Sequence, residues 1–184
     1  MTLWLLRHAP VVLDAGRCYG ATDVPANLAL TSQAARSMAA LLPEGAPLWV
    51  SGLQRAQQLA RELHTLRPDL GAPVTDARLN EMDFGRWELK RWDAIPRKAF
   101  DVWLSDFAHH PFGGAESVQQ LIDRVAVALA VVRLKQQGQA VWVTHAGVIR
   151  AVQYLVAHGS APITDVDQWP REAPEPGGHL CLTL

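Results

Sequence analysis

Three short, wholly apolar runs, each followed at once by polar residues, constrain the fold of this chain more than any other feature. They span residues 3–6, 48–50 and 140–143. Runs of this length without polar residues are typical of strands that are buried on both faces. Segments with helical apolar periodicity separate them, and strands that alternate with helices indicate a sheet covered on both sides. We therefore predict an α/β fold, a three-layer α/β/α sandwich with a mostly parallel central sheet.

Local signals predict where several helices begin and end. Thr31 is a candidate N-cap for an alanine-rich helix over 31–42, and Ser51 and Ser117 each begin a capping-box pattern. Gly159 is expected to end a helix that follows the third apolar run. A final strand is predicted over 180–184. The stretch 71–114 has no long periodic segment, so we predict one domain, residues 1–184, in which 71–114 is an irregular insertion over the active site.

Composition excludes several classes of function. The net charge is −1 and the sequence pI is about 6.6, so nothing favours nucleic acid or an anionic membrane as a partner. No apolar run is long enough to span a bilayer, and the first residues contain no basic leader or cleavage site. Cys18 and Cys181 are too far apart in sequence to indicate a disulfide framework or a zinc site. We expect a cytoplasmic protein without a cofactor or metal, and the oligomeric state stays open.

Charged and histidine side chains follow all three predicted strands. Arg7 and His8 follow the first, Arg55 lies shortly after the second, and His145 follows the third. The carboxyl ends of parallel strands meet at one edge of a sheet, where ligands of α/β proteins bind. Two arginines and two histidines are therefore expected to converge there.

This set of residues suits phosphoryl transfer. Guanidinium groups can neutralise phosphoryl oxygens without a metal, and a histidine can carry the phosphoryl group covalently. A leaving alcohol then needs a proton donor, and the spacing leaves Glu81, Asp83 and Glu88 open for that role. The chain contains no P-loop, dinucleotide-binding, zincin or nucleophile-elbow motif.

Four segments resemble, in the same order, the signature segments of the histidine phosphatase superfamily (phosphoglycerate mutase-like): LLRHA (5–9), SGLQRA (51–56), LNEMDFGRWE (79–88) and VTHAGVIR (143–150). The resemblance implies a phosphoglycerate mutase-like fold. It implies that His8 is the phosphohistidine nucleophile, that Arg7, Arg55 and His145 bind the phosphoryl oxygens, and that Glu81 is the proton donor.

Within that superfamily, residues 16–25 and 113–125 resemble the α-ribazole phosphatase branch, which adds Tyr19 and Gly20 to the predicted substrate-binding residues. The predicted function is a phosphomonoesterase that hydrolyses a small phosphorylated metabolite, with α-ribazole 5′-phosphate as a candidate. Phosphoglycerate mutase-type transfer is one alternative. A catalytically weak phospho-ligand binding module is another, because Ala9 replaces a usual glycine and Asp14 stands nearest to the place of a usual asparagine.

Overall fold

The computed structural model describes residues 1–134 and 138–184, which contain a five-stranded sheet and five α-helices. The strands are β1 (Thr2–Arg7), β2 (Leu48–Val50), β3 (Val74–Thr75), β4 (Gln139–Thr144) and β5 (His179–Thr183). The helices are α1 (Leu28–Ala39), α2 (Gln54–Leu66), α3 (Arg97–Ser105), α4 (Val118–Leu134) and α5 (Ala146–His158). Short 3₁₀ helices occupy several of the connections.

The strands lie in the order β3-β2-β4-β1-β5, and all neighbours are parallel except β5, which runs antiparallel to β1 at one edge. The register pairs Arg7 with Thr144 and Val50 with Val143. The carboxyl ends of β1, β4 and β2 are therefore level with one another, and the residues that follow them meet at one edge. The predicted mostly parallel sheet is confirmed.

Helices cover both faces of this sheet because side chains alternate along its strands. Leu5 and Trp142 face a core built with α4 and α5, whereas Leu6 and Val143 face a second core built with α1 and α2. All four side chains are almost completely buried. The predicted three-layer α/β/α arrangement is therefore confirmed.

The helix starts differ in part from the sequence expectations. Asn27, and not Thr31, caps α1, because the Asn27 side chain accepts a hydrogen bond from the Leu30 N–H. The capping box at Ser117 is confirmed by reciprocal hydrogen bonds with Gln120. At Ser51 the prediction is wrong: α2 has no side-chain cap, and the serine hydroxyl has other partners in the site.

The stretch 71–114, predicted as an irregular insertion, begins with β3, so its first residues extend the central sheet. The rest holds α3 and short 3₁₀ helices around an aromatic cluster centred on Phe112, which packs against Phe100, Trp87 and Trp103.

The helices described in 1–134 and 138–184 are all too short or too polar to cross a membrane.

Candidate active site

The ends of β1 and β4 place two histidine rings side by side. The His8 N–H continues the strand ladder by donating to the Thr144 carbonyl oxygen over 3.1 Å. The centroids of the His8 and His145 rings are 5.1 Å apart. Both histidines are almost fully buried. The prediction that these two strand ends bring the histidines together therefore agrees with the geometry.

His8 is held in one tautomer. Its Nδ1 lies 2.7 Å from the carbonyl oxygen of Ala9, and because a carbonyl can only accept, Nδ1 carries the proton. Burial lowers the pKa of His8 to about 3, although the Ala9 hydrogen bond opposes this, and Arg55 and Arg7 lower it further. The ring is therefore neutral near pH 7, with a lone pair on Nε2. That is the form a nucleophilic histidine requires.

Arg55 and Arg7 are fixed by backbone carbonyls. Arg55 is fully buried and donates from Nη1 to the Thr22 oxygen (2.8 Å) and from Nη2 to the Gly20 oxygen (2.5 Å). Arg7 donates from Nη1 to the Pro174 oxygen over 2.8 Å. The Nε atom of each guanidinium is buried and has no partner among the described residues. Burial lowers the pKa of Arg55, but the arginine stays charged.

His145 has one satisfied ring nitrogen and one unsatisfied ring nitrogen. Its Nε2 lies 2.8 Å from the Ser51 hydroxyl oxygen. Its Nδ1 is buried and has no partner among the described residues. Burial holds the pKa of His145 well below its usual value of 6.5, and the charges of Arg55 and other nearby cationic groups act in the same direction.

Glu81 contacts the first turn of α5, and its charge acts on Arg55 and Arg150. Its Oε2 accepts from the Gly147 N–H over 3.0 Å, and its Oε1 accepts from the Met82 N–H over 3.1 Å. A Cβ atom added to Gly147 would overlap the Glu81 carboxylate. The glycine therefore leaves the space in which this carboxyl group sits.

The other two acids that the spacing left open have partners elsewhere. Glu88 accepts from the backbone N–H groups of residues 20–22 and Phe84, and from the Thr22 hydroxyl over 2.6 Å. Burial by itself would raise the pKa of Glu88, but these hydrogen bonds, first that of Thr22, outweigh it and lower the pKa. Asp83 accepts from the Gly85 N–H at the start of a 3₁₀ turn. Glu88 thus fixes the loop whose carbonyls hold Arg55.

Tyr19 and Gly20 belong to that loop. The Arg55 guanidinium carbon lies 5.4 Å from the centre of the Tyr19 ring, a cation–π arrangement. Gly20 uses its carbonyl for Arg55 and its N–H for Glu88, and a Cβ there would overlap the Met82 carbonyl oxygen. Gly20 therefore allows two backbone segments to approach closely. Direct contact of Tyr19 or Gly20 with a substrate stays a prediction.

A cavity of about 440 Å³ with a mixed polar and apolar lining opens beside Glu81, which forms part of its wall. Part of its wall consists of three alanines, whose small side chains leave room, and polar side chains including Asp83, Glu116 and Arg124 form the rest. Arg124 pairs with Glu116 over 2.6 Å and donates to the carbonyls of Arg78 and Asn80, so it holds the backbone that carries Glu81. This cavity could receive a group attached to a phosphoryl bound beside the histidines.

Sequence reasoning missed Asn80 and the role of Ser51. Only their positions in the sequence could have pointed to these two residues, since Ser51 follows directly after β2 and Asn80 precedes Glu81. The two departures from the family pattern also have a structural account. The Ala9 methyl group is buried while its carbonyl orients His8, and Asp14 pairs with Arg17 over 2.9 Å at an exposed position.

Within the described ranges, no three or more His, Cys, Asp or Glu side chains cluster so that they could hold a metal ion. The cationic groups at this site are guanidinium groups instead. Two buried arginine N–H groups without partners in the described part of the chain favour an anionic ligand with several oxygens.

Comparison with known proteins agrees with this geometry. The chain resembles two solved structures from Thermus thermophilus. One, phosphoglycerate mutase, is 30% identical with a TM-score of 0.71, and the match covers 99% of this chain and 92% of that chain. The other, TTHB049, is 29% identical with a TM-score of 0.71, and the match covers 99% and 93% of the two chains.

A curated relative from Hydrogenobacter thermophilus (strain DSM 6534 / IAM 12695 / TK-6), named "Putative phosphoserine phosphatase 2", is 33% identical over 86 residues. That match covers 45% of this chain and 42% of the relative, so it spans less than half of the relative's length. The family described as Histidine phosphatase superfamily (branch 1) matches residues 3–170. Because this match covers most of the chain, the protein belongs to the histidine phosphatase superfamily, branch 1.

Proposed function

We propose that the protein is a metal-independent phosphomonoesterase that hydrolyses a small phosphorylated metabolite through a phosphohistidine at His8. One observation carries the proposal. The Nε–H groups of Arg7 and Arg55 are buried without partners in the described part of the chain, and both guanidinium groups lie close enough to His8 to act on its charge. Buried polar groups are rarely left unpaired unless a ligand completes them. A tetrahedral phosphoryl group offers oxygens in several directions at once.

The first half of the reaction transfers the phosphoryl group to the enzyme. The neutral His8 ring, with its proton fixed on Nδ1 by Ala9, attacks phosphorus through Nε2. The Nε2–P bond forms as the bond from phosphorus to the ester oxygen breaks. Arg7 and Arg55 neutralise the charge on the phosphoryl oxygens. Glu81 gives a proton to the departing oxygen, which leaves as an alcohol.

The second half releases phosphate. Glu81, now ionised, takes a proton from a water molecule, and the resulting hydroxide oxygen attacks phosphorus. The Nε2–P bond breaks, inorganic phosphate leaves, and both His8 and Glu81 return to their starting protonation states. The cavity beside Glu81 is large enough for a small leaving alcohol and allows water to enter after that alcohol departs.

Trapping the phosphoenzyme tests this mechanism. Brief reaction with a ³²P-labelled phosphomonoester should label the wild-type protein with a phosphoryl group that is stable in alkali and labile in acid. His8→Ala should not be labelled. If His8→Ala keeps activity within about tenfold of wild type, roughly 1.4 kcal/mol of barrier, His8 is not the nucleophile.

A substrate panel tests which metabolite is used. The likeness of residues 16–25 to α-ribazole phosphatases supports α-ribazole 5′-phosphate, and the name of the Hydrogenobacter relative supports phosphoserine. Phosphate release from these two compounds and 3-phosphoglycerate should be compared by kcat/KM. Ordinary turnover of p-nitrophenyl phosphate would exclude a module that only binds phospho-ligands.

Phosphoglycerate mutase-type transfer is the second candidate. It is supported by the likeness to the solved phosphoglycerate mutase, which is 30% identical over nearly the whole chain. In that reaction the phosphoryl group on His8 would return to a second hydroxyl of the bound glycerate and not to water. Interconversion of 2- and 3-phosphoglycerate that depends on bisphosphoglycerate and exceeds phosphate release would favour this candidate.

A further inference from the structure

A chain of hydrogen bonds fixes the orientation of two polar side chains behind His145. The Gly52 N–H lies 2.7 Å from Asn80 Oδ1, and since a backbone N–H can only donate, Oδ1 is an acceptor. The Ser51 hydroxyl oxygen lies 2.9 Å from the same Oδ1. Two oxygens at that distance need a proton between them, and Asn80 Oδ1 has none. The Ser51 hydroxyl therefore donates to Asn80.

This assignment determines the tautomer of His145. The Ser51 hydroxyl has a single proton, and that proton is committed to Asn80. Its oxygen can then only accept, and it accepts from the Leu53 N–H over 3.2 Å and from His145 Nε2 over 2.8 Å. His145 therefore carries its proton on Nε2. In the neutral ring the buried and unpartnered Nδ1 has a lone pair and no hydrogen.

The surroundings of His145 keep the ring neutral while no anion is bound. Burial and the neighbouring cationic groups hold its pKa well below the usual range. The groups whose charges act on it are Arg7 and His8 from β1 and its end, Arg55 from α2 and Arg124 from α4. On α5, which His145 precedes, Arg150 interacts with Glu81 and Arg7, and Glu81 accepts a hydrogen bond from the first turn.

We propose that the site binds a phosphoryl dianion together with one proton, held between His145 Nδ1 and a phosphoryl oxygen, and that Ser51 and Asn80 impose this requirement. The inference rests on the proposed function, because it places a phosphoryl group beside His145. A phosphoryl oxygen of the dianion and the Nδ1 lone pair are both acceptors, so they repel unless a proton lies between them. Protonated on Nδ1, the ring becomes an imidazolium that still donates from Nε2 to Ser51.

Ser51 and Asn80 are positioning residues in this proposal, since they act through His145. The other tautomer would have Nδ1–H donating to phosphate and Ser51 donating to Nε2. It would leave the oxygens of Ser51 and Asn80 facing each other with no proton between them. The unfavourable contact between these two oxygens is what excludes binding of the phosphoryl dianion without proton uptake. Removing the acceptor oxygen of Asn80 should therefore remove the need to bind a proton with the dianion.

Calorimetry with phenylphosphonate at about pH 8 tests the proposal, because this compound is then mostly a dianion, has no P–OH proton to donate and cannot be hydrolysed. The binding enthalpy measured in buffers of different ionisation enthalpy gives the number of protons taken up. Measured in a Glu81→Gln background, so that this carboxyl group cannot take up a proton, the protein with Ser51 and Asn80 intact should take up about one proton per site. Asn80→Ala frees the Ser51 hydroxyl to donate to His145, so uptake should fall towards zero. The matched control Asn80→Asp keeps an acceptor oxygen and should keep the uptake.

Nitrogen-15 NMR of the His145 ring gives a second readout that a purely structural role would not change. Wild type without ligand should have its proton on Nε2, and both nitrogens should be protonated in the phenylphosphonate complex. Asn80→Ala should shift the free ring towards the Nδ1–H tautomer. Ser51→Ala, which removes the acceptor for Nε2–H, should act in the same way if Asn80→Ala does not fold.

The outcomes separate this inference from the proposed function. Phosphohistidine formation on His8 together with no proton uptake in wild type would overturn the inference alone. An Nδ1–H tautomer in the free wild-type protein, or equal uptake in Asn80→Ala and Asn80→Asp, would do the same. If wild type neither binds phenylphosphonate nor forms a phosphoenzyme, the proposed function fails, and this inference fails with it.

Discussion

The substitution Gly147→Ala should selectively impair proton donation by Glu81. The added Cβ would overlap Glu81 Oε1 and lie 3.1 Å from the carboxyl carbon, so the carboxyl group must move away by about 1 Å. A displacement of that size at a reacting group can cost about 10²-fold in rate, or about 2.7 kcal/mol of barrier. The helix backbone itself should tolerate the alanine, because Gly147 lies in the first turn of α5 and does not have a positive φ.

The assay compares two substrates with different leaving groups. An alkyl phosphate leaves as a strongly basic alkoxide and needs the proton, so kcat/KM should fall about 10²-fold in Gly147→Ala and roughly 10²–10⁴-fold in Glu81→Gln. Nitrophenolate leaves with little help, so p-nitrophenyl phosphate should lose less than about tenfold in both variants, provided that phosphorylation of His8 limits its rate. Single-turnover measurements of the phosphorylation step check that condition.

The double variant is the matched control. Because Gly147→Ala acts only through Glu81, combining it with Glu81→Gln should cost no more than Glu81→Gln alone. Additive losses would mean that the alanine disturbs something other than the carboxyl group. Equal losses on both substrates in single turnovers, or unchanged activity on the alkyl phosphate, would refute the assignment of Glu81 as proton donor. A melting temperature equal to or above that of wild type would show that folding is intact.

Three further predictions concern stability and cofactors. In the folded chain His8 stays neutral down to about pH 3, whereas in the unfolded chain it binds a proton below about pH 6.5. The contribution of His8 to the free energy of unfolding is therefore complete above pH 6.5 and falls as the pH decreases. Urea unfolding at about pH 5 should show a free energy of unfolding lower by about 2 kcal/mol because of His8, and His8→Asn should abolish this loss. An equal dependence of the free energy of unfolding on pH in both proteins would contradict this prediction. Glu88→Gln should lower the melting temperature by about 4–8 °C near pH 7, because hydrogen bonds to a charged group contribute about 2 kcal/mol. The difference between the two proteins should shrink below about pH 4.5, where Glu88 becomes protonated. An unchanged melting temperature would be contrary evidence. EDTA should leave kcat unchanged because Arg7 and Arg55 supply the positive charge, and a loss restored by a divalent ion would be inconsistent with this mechanism.

The sequence alone determined four of the five described strands, the layers and the edge at which the site lies, whereas β3 was not predicted. Apolar runs of three or four residues require strands buried on both faces, and parallel strands bring their carboxyl ends together. His8 and His145 had to meet once β1 and β4 paired. The local capping signals were less decisive. The capping box at Ser117 was predicted correctly, but the N-cap at Thr31 and the capping box at Ser51 were not, because Asn27 caps α1 and the Ser51 hydroxyl bonds to Asn80 and His145.

Only the tertiary structure decided which groups each polar side chain contacts. Ser51 and His145 are 94 residues apart, and no local pattern shows that one fixes the tautomer of the other. Glu88 and Glu81 look equivalent in the sequence, yet one binds the 20–22 loop and the other the first turn of α5. Hydrogen bonds depend on distances of a few tenths of an ångström between distant segments, whereas strands and helices depend on patterns that neighbouring residues already contain.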